Sequence, residues 1–445
     1  MKTGLDSSQP TLRRELGRWD LTAIGINQVI GGAIFLMPAV VAREVGNWAP
    51  IALVLIGIAS LAVALCFAEV GSRFEGTGGP YLYTRAAFGR FIAFEVGWMQ
   101  WFTRVTSQAS IANGLALALG FYWPLVTTGI GRAAVISALT LGLLWINVRG
   151  IKHSAWVVNA LTIGKLVPLF IFVIGGLFFL RLDRLTPLPP VTLAQASSGA
   201  LLLIFTFGGY DVIGVPAGEA KDPRRHIPFA FIVTMSLVTM IFVLAQVVAM
   251  SALPDVAKST TPMADAAAVM FGAIGGLMIS VGSVVSMTGN NAGQVLTGSR
   301  MLYALAENQE LPRWFARIHP VFRTPHHCVI FTSVVALVLM LSGSFVFLAA
   351  VSAVARLLTY LGACGAMIAL RRAAYAEQVK PATFVVPGGL LVPAIAIGSS
   401  LLILVLANRQ QLLAGLAALA AGAVLFALND RVRAREAREP IPVTP

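Results

Sequence analysis

Long apolar runs separated by short polar stretches make up almost the whole chain. Candidate membrane spans fall at about Trp19 to Ala42, Trp48 to Phe74, Phe91 to Gly120, Gly131 to Asn147, Ala155 to Leu180 and Gln195 to Gly218. They continue at about Ile227 to Ala252, Asp265 to Thr297, Cys328 to Ser342, Phe345 to Leu370, Phe384 to Ala407 and Gln410 to Leu428. Runs of this kind suit a hydrocarbon core of about 30 Å. The pattern predicts an all-α polytopic membrane protein with twelve transmembrane helices.

Two of these runs are interrupted by paired glycines. In N-Q-V-I-G-G-A-I-F-L-M-P, Asn27 to Pro38, Gly31 and Gly32 sit mid-span. Each glycine costs about 1 kcal/mol against alanine in a helix interior, and irregular backbone at membrane depth survives only inside protein or along a cavity. A broken helix here would leave N–H groups near Gly32 and Ala33 for an anion, and carbonyls around Val29 and Ile30 for a cation. The alternative is that small residues admit a neighbouring helix. F-T-F-G-G-Y-D-V-I-G, Phe205 to Gly214, repeats the feature with Gly208 and Gly209. Interrupted segments at corresponding positions of two halves point to a binding site at their interface. Five spans separate the breaks, and an odd number inverts the second half relative to the first. The expected architecture is an inverted five-plus-five helix repeat with helices 1 and 6 broken. It divides the chain into a segment 1–18, a first repeat 19–180, a second repeat 195–370, helices 11 and 12 in 384–428, and a tail 429–445 expected to be unstructured.

Composition changes this picture little: 57% hydrophobic and 11% charged residues exclude an ordinary soluble domain. The formal charge of +13 raises the question of nucleic acid, and the distribution of Lys and Arg answers it. Of the 32, only Arg43, Arg132, Arg181, Arg184, Lys258 and Arg409 fall on the outer side, and Arg104, Lys165 and Arg356 fall inside spans. The rest occupy alternate connections and the ends, which predicts both termini in the cytoplasm and a multi-pass protein of the cytoplasmic membrane. The charge reports topology and the lipid bilayer as partner, with no nucleic acid. The three cysteines form no disulfide framework or metal spacing, no cofactor is expected, and Lys2 to Arg18 is too polar for a cleavable signal.

Charges deep in the spans are the candidates for chemistry. Lys165 lies about ten residues into the fifth span, roughly 15 Å along its axis. Such a residue costs about 2.5–3.5 kcal/mol on insertion scales, faces the bundle, and acts in an ion or proton pathway or in a structural ion pair. Asp211 directly follows the second break and is suited to shuttling a proton or to pairing with an arginine. Arg104 and Arg356 are equally deep. Glu69, Glu95 and Glu219 are expected near span ends in contact with water. Asn290 and Asn291 read as bonds between helices, and His319, His326 and His327 as loop residues. No H-E-x-x-H, G-x-S-x-G or phosphate loop is present, so an enzyme is not expected.

Four stretches, in order, resemble the amino acid-polyamine-organocation superfamily, and in particular its bacterial amino acid permeases. They are I-G-G-A-I-F (Ile30 to Phe35), G-G-P-Y-L-Y-T-R-A-A-F-G-R (Gly78 to Arg90) with Gly97 and Trp98, F-G-G-Y-D with G-E-A-K-D-P-R-R-H-I-P (Gly218 to Pro228), and S-R-M-L-Y-A-L-A-E-N-Q-E-L-P-R-W-F-A (Ser299 to Ala316). The resemblance implies a secondary transporter of amino acids working by alternating access. A substrate carboxylate would meet the amides of Gly32 and Ala33, with Gly31 beside them in the site. Its ammonium would meet carbonyls near Val29, Ile30 and Gly208, with Phe205 as an aromatic gate and Gly209 and Tyr210 beside it. Ala33 stands where the family has a glycine. Lys165 matches a fifth-helix lysine of proton-coupled members, which implies a proton as second partner, with Asp211 at an acidic position. Arg104 lies where relatives line the side-chain end of the pocket. Its charge has to be matched by Asp211 or by the substrate itself, and either arrangement disfavours a second cation, leaving proton-coupled symport of neutral amino acids, or of ones with an acidic or polar side chain, as the first expectation. An exchanger of amino acids or polyamines is the rival, and a channel or nutrient sensor the alternative of another class.

Overall fold

The computed structural model describes residues 14, 16–120, 122–149, 154–322, 324–375 and 377–436. Residues 1–13 and 15, Lys152 with its connection 150–153, Arg323, and the end of the tail, 437–445, lie outside them. The described residues form fourteen α-helices and no strand. The first seven are α1 (Arg18–Val29), α2 (Ala33–Val45), α3 (Ala49–Gly71), α4 (Pro80–Phe88), α5 (Arg90–Leu119), α6 (Gly129–Arg149) and α7 (Ser154–Gly176). The others are α8 (Leu193–Phe207), α9 (Pro223–Ala252), α10 (Pro262–Glu307), α11 (His326–Ser342), α12 (Phe345–Leu370), α13 (Leu391–Val405) and α14 (Arg409–Glu436).

Seven continuous helical stretches are long and apolar enough to cross a membrane, and three shorter apolar helices, Ile163–Phe179, His326–Ser342 and Leu391–Val405, accompany them. Side-chain placement is the inverse of a soluble protein. Leu125, Ile130, Ile274, Leu402 and Val405 are exposed, while Arg104, Lys165 and Arg356 are almost wholly buried. Large apolar patches facing outward and ionised groups facing inward are what a lipid solvent selects.

Local chemistry sets the helix ends. Pro80, Pro223 and Pro262 open α4, α9 and α10, where the missing N–H costs nothing. Thr192 and Gln195 form a capping box on α8. Gly89, at φ +82°, turns the chain between α4 and α5. The long α10 is bent at Gly272, which has φ +70°.

The bundle is built by helices from the two halves packing on one another: α2 on α8, α3 on α9, α5 on α10 and α12, and α6 on α11. Outside this bundle, α13 packs on α3 and α12, and α14 on α5 and α12. The chain before α1 is tied to the exit from α8. Leu16 N–H donates to Glu219 C=O at 3.0 Å, and Lys221 N–H to Leu16 C=O at 2.9 Å.

Three expectations are corrected. Glu69 does not meet water: it is fully buried, paired with Arg371 at 2.6 Å, and accepts the N–H of Val386 at 2.8 Å. Residues 429–436 are helical rather than unstructured, because Asn429 Nδ2 and Arg433 Nη1 both reach Gln309 C=O and hold α14 against the turn after α10. The glycine-rich connection after α3 contains the helix α4, and α10 runs ten residues past the expected Thr297 to Glu307. Helix propensity and tertiary packing continue these helices beyond the apolar pattern that marks a span.

Three of the arginines expected on the outer side have specific partners. Arg132 donates to the carbonyls of Leu341 and Gly343 at the end of α11, and Arg184 to those of Ser251 and Ala252 at the end of α9. Arg43 donates to the carbonyls of Ala257 and Ser259. Carbonyls left over at helix ends, and the negative pole there, favour a positive charge beside them.

Candidate functional site

The first helix does break. After α1 ends at Val29, Ile30 turns out of helical geometry with ψ 74°, and α2 starts again at Ala33. Gly31 N–H donates to Val29 C=O at 2.8 Å, so that carbonyl turns back on the chain. Among the described residues no acceptor meets the N–H groups of Gly32, Ala33 and Ile34, as expected for the first turn of a new helix. Ala33 occupies this first turn in ordinary helical backbone, so nothing there requires the family's glycine.

Both readings of the glycine pair hold together. A Cβ on Gly31 would stand 2.7 Å from Asn290 Nδ2, and one on Gly32 would stand 2.8 Å from Met287 Cγ and 3.3 Å from Ile111 Cγ2. The break exists, and α10 packs directly on it. Asn290 Nδ2 donates to Gln28 C=O at 3.0 Å, and Ser286 Oγ to Gly31 C=O at 3.0 Å. Ser286, Asn290 and Gln294 form an i, i+4, i+8 polar stripe on α10 that faces this site. Asn290 makes the bond between helices that its place in the span predicts. That Ser286 and Gln294 belong with it could have been found from the same spacing. Asn291 instead bonds Met287 C=O of its own helix.

The carbonyls released by the break are taken by a lysine. Lys165 Nζ donates to Asn27 C=O and Ile30 C=O, each at 2.7 Å, and also to Asn27 Oδ1. It is almost fully buried.

The second break touches the first. α8 stops at Phe207, Gly208 is extended, and Gly209 has φ +127°. A Cβ on Gly209 would lie 2.6 Å from Gln28 C=O, one turn before Gly31, and the position a Gly208 Cβ would take is filled by the Arg356 guanidinium. Phe205 is buried with its ring edge-on to Phe345 at 6.3 Å. Tyr210 packs among Phe67, Phe231 and Tyr360 and lies stacked on the last at 5.3 Å.

Asp211 joins the two deep arginines. Its Oδ2 takes Arg104 Nη2 at 2.5 Å and its Oδ1 takes Arg356 Nη1 at 3.0 Å. Gln100 Nε2 reaches Oδ2 at 3.4 Å, Arg104 Nη1 reaches Gln294 Oε1 at 3.3 Å, and Arg356 Nη2 reaches Ser107 Oγ at 3.1 Å. One carboxylate between two guanidinium groups leaves this buried cluster formally positive. No group of three or more metal-ligating residues occurs among the described residues.

These features define a polytopic membrane protein whose two broken helices meet at a buried polar centre. A family model described as amino acid permease matches residues 16–419, and the chain belongs to that family. It is 30% identical to a serine/threonine exchanger of Bacillus subtilis over 88% of this chain and 91% of that protein. It is 25% identical to a branched-chain amino acid permease of the same organism over 96% of this chain and 95% of the relative. A methylthioribose transporter of Bacillus subtilis is 26% identical over 74% of this chain and 75% of its own length.

Proposed function

We propose that this protein is a secondary transporter that carries an amino acid through the centre between its two broken helices by alternating access. The observation that carries this reading is the start of α2: N–H groups without acceptors, buried at a break, suit a substrate carboxylate. In this reading the N–H groups of Gly32 and Ala33 receive the carboxylate, and Gly31, whose N–H is held by Val29 C=O, forms the turn beside them. Because Lys165 already holds Ile30 C=O, Val29 C=O faces back on the chain, and Gly209 C=O accepts Val212 N–H at 3.3 Å, the substrate ammonium falls mainly to the carbonyl of Gly208, with Gly209 shaping the turn beside it. Phe205 closes over the substrate, and Tyr210 braces the second break from behind.

The pairing of α2 with α8, α3 with α9, α5 with α10 and α6 with α11 supports twelve spans arranged as two inverted five-helix repeats, 19–180 and 195–370, with 384–428 outside. The Lys and Arg distribution supports cytoplasmic termini and residence in the cytoplasmic membrane. Lys165 is proposed as the proton carrier, with Asp211 part of the charge network rather than an independent shuttle. Its two arginine partners favour neutral amino acids over cationic ones.

The exchanger reading keeps its place because a relative of 30% identity is a serine/threonine exchanger. Uptake by purified protein in vesicles separates the two. Accumulation in empty vesicles under an inward pH gradient supports proton-coupled symport, and a strict requirement for internal amino acid supports exchange. Uptake that neither saturates nor distinguishes stereoisomers would overturn both and favour a channel.

A further inference from the structure

Gln108 is fully buried in the middle of α5, and among the described residues neither end of its amide has a hydrogen-bond partner. An amide donor and acceptor withdrawn from water without partners are costly, and native proteins keep few of them without a reason. Helical spacing puts Gln108 on one stripe with Arg104, one turn before it, and Ile111, one turn after it. Both neighbours are located at the site. Ile111 Cγ2 lies 3.3 Å from the position of a Cβ on Gly32, and Arg104 pairs with Asp211, two residues past Gly209. Gln108 therefore stands between the first break and the charge cluster beside the second.

Of the other polar side chains nearby, Gln28, Gln100, Arg104 and Arg356 each leave one buried atom without a partner, and three are engaged. Ser107 bonds Ser352 and Arg356, Asn290 bonds Gln28 C=O, and Gln294 bonds Arg104 and Asn290. Gln108 alone among these presents both a free N–H and a free C=O on the stripe facing Gly32. The geometry points to Gln108 as the residue that reads the substrate side chain, selecting uncharged polar amino acids, with a hydroxyl or carboxamide, over apolar isosteres. This rests on the amino acid site proposed above. A hydroxyl or carboxamide both donates and accepts, so it satisfies both ends of the glutamine. A methyl group in the same place leaves them unpaired, the condition under which sites discriminate strongly against an isostere.

The test uses full-length protein in vesicles, empty or loaded with unlabelled alanine, and competes labelled alanine uptake with near-isosteric pairs: threonine against valine and asparagine against leucine. In wild type the polar member of each pair should compete at least about tenfold better. In Gln108→Leu both ratios should fall toward one. A ratio is independent of the amount of active protein, so a merely structural loss does not move it, and a glutamine that holds only a buried water leaves it unchanged. Equal ratios in wild type and variant overturn the inference. Should Gln108→Leu carry no alanine, the wild type decides alone: competition by valine and leucine as strong as by threonine and asparagine overturns it. Absence of alanine uptake by wild type under either loading, with none of the four compounds competing, removes the amino acid site and this inference with it.

Discussion

The ammonium of Lys165 on α7 lies 2.7 Å from the carbonyl oxygen of Ile30, the residue at which the first helix breaks. A group from the fifth span thus satisfies the backbone that the first span leaves open. Removing the lysine unties two carbonyls and removes the only cation at this break among the described residues. Under the transport proposal, Lys165→Met should flatten the pH dependence of uptake. Leaving Asn27 and Ile30 carbonyls unpaired should also cost about 1–3 kcal/mol per group, read as a lower melting temperature. A variant with the wild-type pH profile would remove Lys165 from coupling.

Gly32→Leu should abolish amino acid binding, because its side chain would enter space held by Met287 and Ile111 beside the free N–H groups. Protein still present and folded in the membrane, by size-exclusion profile, with unchanged affinity would show that the carboxylate binds elsewhere.

Gly209→Ala should fail earlier, at folding. Its φ of +127° is unfavourable for any L side chain, and the new methyl would meet the backbone of Gln28 rather than a side chain able to move. A loss of about 1–3 kcal/mol or more is expected. Wild-type melting behaviour would contradict this account of the second break.

Asp211→Asn should destabilise more than Arg356→Met. The first leaves two buried guanidinium groups without a carboxylate, a loss of about 3–5 kcal/mol, while the second leaves a neutral Asp211–Arg104 pair. Reversal of that order in thermal unfolding would mean that the charges are not coupled as the geometry implies. The same formally positive cluster predicts weak competition for uptake by arginine and agmatine relative to alanine and leucine, and strong competition by the cationic compounds would defeat the proposed substrate class.

Glu69→Ala should loosen the end of the bundle where α3 meets α12 and α13. Glu69 joins α3 to Arg371 at the end of α12 and to Val386 before α13, and both contacts go at once. Glu69→Gln keeps an acceptor for Val386 and should retain part of the stability, a graded series measurable by thermal unfolding.

The apolar pattern and the two glycine pairs determined the membrane class, most helix positions and both breaks, because length in lipid and helix propensity are local properties. Lys165, Asp211, Arg104 and Asn290 were legible as candidates because a polar group in an apolar run has to be used. Their partners were not. That Lys165 would hold Ile30, that Asp211 would take both arginines, and that Gly209 would rest on Gln28 depend on contacts between residues more than a hundred positions apart. Glu69 was misjudged for the same reason, since its place near a span end says nothing of Arg371 arriving from α12. Periodicity tells which face of a helix is polar, whereas only the packing of α7, α10 and α12 around the breaks decided which polar groups meet, because a buried charge or carbonyl is stabilised by the partner that reaches it.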